Sequence, residues 1–151
     1  MPPTTAATDG PDTVEDRLRA AGWRMTVQRR VIAEAFDQRR RDGRDVHLTA
    51  EQVLAAARAT LPDVSLATVY NTLNDLVELG ALAEVSPDDG PRRYDANVAD
   101  DHQHLVCVDC SRVVDVHLPT RPTLGPDARH GFDVAGVEVT FRGRCPDCRA
   151  A

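Results

Sequence analysis

The sequence predicts an α+β protein in which an N-terminal winged helix-turn-helix is followed by a small α/β domain. Apolar residues recur at helical spacing as far as Leu79, and two short β-rich runs around an Asp-Gly turn follow. All four cysteines of the 151-residue chain lie after Asn97. We therefore expect a solvated tail over residues 1–13, a winged-helix domain over 14–97 and a second domain over 98–151.

The predicted first two helices lie within residues 14–36. Gly22 ends the first, because glycine readily adopts the left-handed conformation that follows a helix. Thr26 caps the second, and its apolar residues have helical spacing. These apolar residues are Val27, Val31, Ile32, Ala35 and Phe36. A charged loop is expected over residues 39–47.

The next two predicted helices form the helix-turn-helix. Thr49 and Gln52 make a capping box at the start of one, and Ser65 caps the other, which covers residues 66–79. This last helix has an apolar stripe made of Leu66, Val69, Leu73, Leu76 and Val77. Its opposite face begins with polar and aromatic side chains, as in a helix that enters a DNA groove. These are Thr68, Tyr70, Asn71 and Asn74.

The β-rich runs complete both predicted domains. Residues 81–85 and 92–96 flank the turn 86–91, and such a hairpin is the wing of a winged helix. Further runs at 104–108, 113–116 and 137–141 predict the strands of the second domain. Prolines between these strands leave room for a short helix at most.

The chain is acidic overall but contains a basic segment. It has 18 basic and 24 acidic side chains, and a net charge of −6 on its own disfavours a nucleic-acid partner. However, nine arginines and three acidic residues fall between Arg17 and Arg44, which is the footprint of a phosphate-contacting surface or of a solvated helix face. No apolar run is long enough to span a membrane and no secretory signal is evident, so we expect a cytoplasmic protein without a membrane partner.

The cysteines form two CxxC pairs, which predict a structural Zn(II) site. Four thiolates complete the closed tetrahedral set that zinc prefers, and such a site leaves no position open for catalysis. Disulfides or a redox CxxC are the alternatives. The four predicted ligands are Cys107, Cys110, Cys145 and Cys148.

A second set of imidazoles and carboxylates suits Fe(II), Mn(II) or Zn(II). His102 and His104 project to one face of an extended strand, and a carboxylate in a valine-rich strand needs a partner. The set is His47, Asp95, His102, His104 and Asp115. Ordinary surface residues are one alternative. A zinc-dependent hydrolase is another, but no separate base or nucleophile accompanies the set. A zinc-ribbon adaptor would leave the helix-turn-helix and His47 unexplained.

These motifs resemble the ferric uptake regulator (Fur) family of bacterial metal-dependent repressors, over about residues 14–148. The matching segments are Arg24-Met-Thr-Val-Gln-Arg29, His47-Leu-Thr-Ala-Glu-Gln52, Ser65-Leu-Ala-Thr-Val-Tyr-Asn-Thr-Leu73, Arg93-Tyr-Asp95, His102-Gln-His-Leu-Val-Cys-Val-Asp-Cys110 and Cys145-Pro-Asp-Cys148. The resemblance implies that residues 98–151 are a dimerisation domain. It also implies that the five imidazole and carboxylate residues bind a regulatory metal, and that the protein is not an enzyme.

Within the family, the peroxide-sensing (PerR-like) branch is most similar, because Asp95 and Asp115 stand where iron-uptake regulators often have Glu. This resemblance implies that bound Fe(II) reacts with hydrogen peroxide, that His47 or His102 is oxidised, and that oxidative-stress genes such as catalase or peroxidase are derepressed. An iron-responsive repressor without peroxide sensing is the alternative. Gln103 and the proline-rich segment 120–130 depart from the family pattern and put a third metal site in doubt.

The expected partners are a second copy of the chain and double-stranded DNA with a palindromic operator. A two-fold dimer would present its residue 66–79 helices to successive major grooves. We expect Asn71 to contact adenine, Thr68 and Tyr70 to contact thymine methyl groups, and arginines to contact phosphates. Tyr70 also fits a packing role. The arginines are Arg24 and Arg29.

Overall fold

A computed structural model describes residues 13–86 and 90–151, so most of the expected tail and the tip of the wing turn lie outside the described residues. The described chain forms two compact units. The first comprises residues 13–85 and 93–98, and the second comprises residues 86, 90–92 and 99–151. No helix within these ranges is long and apolar enough to cross a membrane.

The first unit contains four α-helices, and each begins at a hydroxyl side chain that caps it. The helices are α1 (Val14–Ala20), α2 (Val27–Arg41), α3 (Ala50–Arg58) and α4 (Leu66–Glu78). Thr13, Thr26, Thr49 and Ser65 accept a hydrogen bond from the backbone N–H three residues later. The capping box at Thr49 and Gln52 is complete, which confirms the predicted start of α3.

The second helix is longer than the sequence pattern predicts. It continues to Arg41, so the loop expected from residue 39 begins later. Arginine is a good helix former, and the first residue that breaks the helix is Gly43, which has a φ of 63°. Val27, which the helical spacing groups with the apolar residues of α2, has a side chain that is 62% exposed in the first turn of the helix.

Three short strands complete the first unit. They are β1 (His47–Thr49), β2 (Ala83–Val85) and β3 (Arg93–Asp95), with β3 between the other two and antiparallel to both. The pairing of β2 with β3 was expected from the hairpin pattern. The addition of β1 to this sheet was not expected. Its three residues are too few to show an alternation of polar and apolar side chains, and they are held by pairing with residues that are distant in sequence.

The helices and strands of the first unit enclose one apolar core. Phe36, Leu48, Leu73 and Tyr94 are among its fully buried side chains. At its edge, the Arg17 guanidinium donates hydrogen bonds to the carbonyl oxygens of Ala81 and Ala96, at 3.0 and 2.7 Å. Arg17 therefore joins α1 to the chain on both sides of the hairpin, although the charge pattern had placed it in a phosphate-contacting segment.

The second unit is built on a three-stranded sheet. Its strands are β4 (Gln103–Cys107), β5 (Val113–Val116) and β6 (Thr140–Gly143), in the order β5-β4-β6. Strand β5 is antiparallel to β4, whereas β6 is parallel to it and begins three residues later than predicted. Between β5 and β6, the described chain has one 3₁₀ turn (Asp127–Arg129), which agrees with the prediction from the prolines. A terminal helix, α5 (Pro146–Ala150), was not predicted.

Candidate metal centres and nucleic-acid interface

The four cysteines come together in the second unit. Cys107 ends β4, Cys110 lies in the following turn, Cys145 precedes α5, and Cys148 lies within it. Their sulfur atoms all lie within 4.8 Å of one another, and those of Cys110 and Cys145 are 3.8 Å apart. Tetrahedral zinc with bonds of about 2.3 Å requires sulfur separations of about 3.8 Å, whereas a disulfide requires about 2.0 Å. None of the four is in a disulfide, so the set fits zinc.

Local hydrogen bonds favour a thiolate at one of these cysteines. The backbone N–H of Cys145 donates to the Cys107 sulfur at 3.3 Å. This bond and a second from the Cys110 backbone lower the pKa of Cys107 to about 6. The pKa of Cys148 is raised instead, because its thiol hydrogen-bonds to the sulfurs of Cys145 and Cys110. Four thiolates at this spacing therefore need a cation between them.

Two ion pairs connect the CxxC segments to each other. The Arg144 Nε lies 2.6 Å from Asp109 in the first segment, and an Arg112 nitrogen lies 3.5 Å from Asp147 in the second. Each aspartate is the third residue of its CxxC, and the arginine that it pairs with lies within two residues of the other pair of cysteines. Both pairs are solvent-exposed, so each contributes about 0–1 kcal/mol of stability.

In the first unit, strand pairing places an imidazole beside a carboxylate. His47 of β1 is directly opposite Asp95 of β3. Its Nε2 lies 3.5 Å from Asp95 Oδ2, and the two side chains are 3% and 0% exposed. The other oxygen of Asp95 accepts a hydrogen bond from the backbone of Asn97 at 2.7 Å. The Asp95 carboxylate is thus held with one oxygen toward the His47 ring.

Two residues that the sequence reasoning missed hold His47 in this position. Asp45 Oδ1 lies 2.6 Å from the His47 Nδ1 and accepts a hydrogen bond from the His47 backbone N–H at 2.9 Å. Arg93 donates to the His47 carbonyl oxygen at 3.2 Å. Burial raises the pKa of Asp45, but the hydrogen bonds from His47 outweigh it, and the net pKa is below the ordinary value. The only sequence signal was an aspartate two residues before a histidine, a pattern typical of a turn.

In the second unit, two imidazoles converge on one carboxylate. The Nε2 atoms of His102 and His104 lie 3.4 and 3.7 Å from Asp115 Oδ1. His104 is directly opposite Asp115 in the β4–β5 ladder, and His102 immediately precedes β4. The Nδ1 of His102 lies 2.9 Å from the carbonyl oxygen of Asp100. The expectation that residues 102 and 104 share one face agrees with this arrangement.

Gln103 between these histidines has a structural role. Its side-chain oxygen accepts a hydrogen bond from the Val139 backbone at 2.8 Å, and the side chain is buried. The resemblance described above marks Gln103 as a departure from the family pattern. An amide anchors the start of β6 without adding a charge, so this position offers no carboxylate to a further metal.

The residues predicted to contact DNA differ in their exposure and in their contacts with other side chains. Asn71 and Arg24 are exposed, on α4 and before α2. The Thr68 hydroxyl lies 2.9 Å from that of Ser65. Tyr70 is half-buried against the core, and its hydroxyl lies 3.5 Å from a Glu51 carboxylate oxygen, which agrees with the packing role. Arg29 stacks on Trp23, with 4.5 Å between its guanidinium carbon and the ring centroid.

Comparison with known proteins decides the family. The sequence profile described as the ferric uptake regulator family matches residues 20–142. The chain belongs to this family. Members of the ferric uptake regulator family are transcriptional regulators that bind DNA and act as dimers, and they are not enzymes. The hydrolase alternative is therefore excluded.

Relatives with curated names come from more than one branch of the ferric uptake regulator family. The chain is 34% identical over 140 residues to the transcriptional regulator FurA of Mycobacterium tuberculosis, covering 91% of this chain and 90% of that protein. It is 33% identical over 135 residues to the peroxide operon regulator of Bacillus subtilis, covering 88% and 89%. Such similar identities do not separate the branches.

Solved structures agree on the fold of this family. The chain resembles the ferric uptake regulator of Francisella tularensis with a TM-score of 0.67 and 24% identity, covering 85% of this chain and 96% of that one. It resembles a zinc-bound manganese uptake regulator with a TM-score of 0.64 and 24% identity, covering 88% and 98%. The mixed α/β fold is thus that of the family.

Proposed function

We propose that this member of the ferric uptake regulator family is a dimeric repressor that senses peroxide through a regulatory Fe(II) or Mn(II) site and controls oxidative-stress genes. The observation that carries the proposal is that each unit pairs an imidazole Nε2 with an aspartate oxygen, at 3.5 Å for His47 and Asp95 and at 3.4 Å for His102 and Asp115. Both carboxylates are aspartates, as in the peroxide-sensing branch. The sulfur set is separate and serves a structural Zn(II).

The proposed regulatory ion is bound by three imidazoles and two carboxylates. A nitrogen and oxygen set of this kind suits Fe(II) and Mn(II), which distinguishes it from the thiolate set. The ligands are His47, Asp95, His102, His104 and Asp115. A single ion that takes all five ligands would favour the arrangement of the chain that binds DNA.

The proposed signal is oxidation of His47 or His102. Bound Fe(II) supplies the redox chemistry that lets hydrogen peroxide attack a neighbouring ring. One peroxide oxygen is added at a ring carbon, and the other leaves as water, so the ring loses two electrons and the peroxide gains two. An oxidised ring is a poorer metal ligand. The regulatory ion is then lost, and the operator is released.

The proposed dimer uses an apolar face of the second unit. Leu105, Val114 and Phe141 are neighbours across β4, β5 and β6, and they are 40%, 42% and 43% exposed. Three large apolar side chains on one exposed sheet face are typical of an interface. A second copy of the chain is the occupant that the family implies.

The proposed DNA contact is made by a winged helix-turn-helix, in which α3 and α4 are the two helices and β2 and β3 are the wing. Asn71 is exposed on α4 and has the amide that adenine recognition requires. Thr68 and Tyr70 lie beside it, and Arg24 and Arg29 supply charge for phosphates. A dimer of such units fits a palindromic operator.

The deciding experiment compares operator binding by the Fe(II) and Mn(II) forms before and after micromolar hydrogen peroxide. We expect both forms to bind a palindromic operator in a gel shift, and only the Fe(II) form to lose it on oxidation. Mass spectrometry should find one added oxygen on His47 or His102. An Asp115→Glu variant, which retains a carboxylate, should keep its zinc and change its peroxide sensitivity.

An iron-responsive repressor without peroxide sensing is the second candidate, because the chain is as similar to FurA as it is to the peroxide operon regulator. It predicts that the Fe(II) form keeps its operator after peroxide and gains no oxygen on either histidine. That outcome would reject the peroxide proposal while preserving the metal-dependent repressor.

A further inference from the structure

Asp45 contacts the His47 ring on the edge away from Asp95. Its Oδ1 lies 2.6 Å from Nδ1, whereas Nε2 lies 3.5 Å from Asp95 Oδ2. The same Asp45 oxygen accepts the His47 backbone N–H at 2.9 Å. The imidazole is 3% exposed, and the Asp45 side chain is 38% exposed. A carboxylate at the surface thus reaches a buried ring.

The chemistry of these atoms determines the form of the ring. An ionised carboxylate only accepts hydrogen bonds, so the Nδ1 that faces Asp45 must carry a proton. The neutral imidazole, which is the form that binds a metal, has one N–H, so the lone pair that a metal ion would take is on Nε2. A carboxylate that accepts a hydrogen bond from the second nitrogen of a metal-binding histidine orients the ring. It also makes the other nitrogen more basic and therefore a stronger metal ligand.

His102 provides an internal comparison. Its Nδ1 lies 2.9 Å from the carbonyl oxygen of Asp100, so a neutral backbone group occupies the corresponding position. Both rings therefore direct Nε2 toward an aspartate of their own unit. The partner of His47 at Nδ1 is a charged side chain, which a substitution can remove.

We propose that Asp45 is a positioning residue of the regulatory metal site, which holds His47 as the Nδ1–H tautomer and strengthens its Nε2 as a metal ligand. The inference rests on the proposed function for the role of His47 as a ligand. Arg93 also helps to position His47, because its hydrogen bond to the His47 carbonyl oxygen holds the backbone of that residue in place.

The test measures Mn(II) affinity of the zinc-loaded protein by calorimetry. We expect Asp45→Ala to weaken Mn(II) binding about 10- to 100-fold, since this is the usual effect of removing such a partner. Asp45→Asn keeps an oxygen for the backbone N–H but loses the charge, and we expect an intermediate affinity. Zinc content should stay the same in all variants.

Asp42→Asn is the matched control, because it removes one negative charge from the same stretch of chain. Asp42 bonds to Gln38 at 2.9 Å and is exposed. We expect its Mn(II) affinity to equal that of the wild type. Equal losses in Asp42→Asn and Asp45→Asn would show that only the overall charge matters, and would overturn the proposal.

A second readout does not depend on Mn(II). Nitrogen-15 NMR of the zinc-loaded protein should find the proton of His47 on Nδ1 in the wild type and a mixture of tautomers in Asp45→Ala. A role confined to the turn would lower the free energy of unfolding without changing the tautomer. A wild-type proton on Nε2, or unchanged Mn(II) affinity in both Asp45 variants, would reject the proposal.

His47→Ala separates failure of this inference from failure of the proposed function. If His47→Ala loses Mn(II) binding and the Asp45 variants do not, the positioning role is wrong and the site remains. If His47→Ala binds Mn(II) like the wild type, His47 is not a ligand, and the proposed regulatory set itself is wrong.

Discussion

Asp37 is a buried carboxylate on α2 that binds the start of α1. It accepts backbone N–H groups of Val14 and Glu15 at 2.8 and 3.3 Å. Helix starts have N–H groups without partners within the helix, and a negative charge there is favourable. The charge pattern counted Asp37 among three acids in a basic segment. Only its burial, at 4% exposure, reveals that it links two helices.

Replacing Asp37 should separate its hydrogen bonds from its charge. We expect Asp37→Ala to lower the free energy of unfolding by about 1–3 kcal/mol, because buried N–H groups lose their acceptor. Asp37→Asn keeps one acceptor oxygen and should cost less. Urea unfolding at pH 7 with zinc present measures both. An alanine variant as stable as the asparagine variant would contradict the capping role.

The wild type and Asp37→Asn should also differ in how their free energy of unfolding depends on pH. Burial raises the pKa of Asp37 above its usual value, by more than the bonds from Val14 and Glu15 lower it. The folded state therefore binds the Asp37 proton more tightly than the unfolded state does. The stability that this proton contributes is fully present below the pKa of the unfolded state and is lost as pH rises through the pKa of the folded state. Relative to Asp37→Asn, the wild type should gain stability as pH falls from 7 toward 4.

Each helix of the first unit begins at a residue that its local sequence marks. Thr26, Thr49 and Ser65 were all predicted as caps, and their side chains accept the expected backbone N–H. Helix starts depend on residues three apart, so they can be read locally. Strand β1 and the later start of β6 could not, because each is held by pairing with a strand distant in sequence.

Removing the cap of α4 tests the element that we propose contacts DNA. Ser65 Oγ accepts the Thr68 N–H at 3.1 Å. We expect Ser65→Ala to lower the free energy of unfolding by about 1 kcal/mol, and Ser65→Asn, which can cap equally well, to change it by only a few tenths. Thermal and urea unfolding should agree. Equal losses for both variants would show that the hydroxyl has another role.

The molecule as a whole has an uneven distribution of charge and apolar surface. Its net charge of −6 conceals a segment of net charge +6 between Arg17 and Arg44. Arg17 in that segment is bound to carbonyl oxygens, and Arg19 is paired with Glu15 at 2.6 Å. Fewer of these arginines are therefore available to contact phosphates than the net charge of the segment suggests. Operator binding should accordingly depend strongly on dimerisation.

Introducing a charge on the apolar face of the second unit should prevent that dimerisation. We expect Leu105→Asp or Phe141→Asp to yield monomers in sedimentation velocity at micromolar concentration, because a carboxylate would be buried without a partner. Zinc content should be unchanged. Val27→Asp alters a 62% exposed valine of the first unit and serves as the control, which should stay dimeric. A dimeric Phe141→Asp and Leu105→Asp would place the interface elsewhere.

The sequence by itself determined the helix caps, the two CxxC pairs and the family, because these depend on residue type and short spacing. It also indicated which imidazoles and carboxylates to examine. Tertiary structure decided that β1 places His47 opposite Asp95, and that Asp45 and Arg93 hold His47. It also decided that Arg17 and Asp37 serve the fold. The physical reason is that burial and long-range strand pairing determine what a polar side chain contacts, and neither is encoded in local spacing.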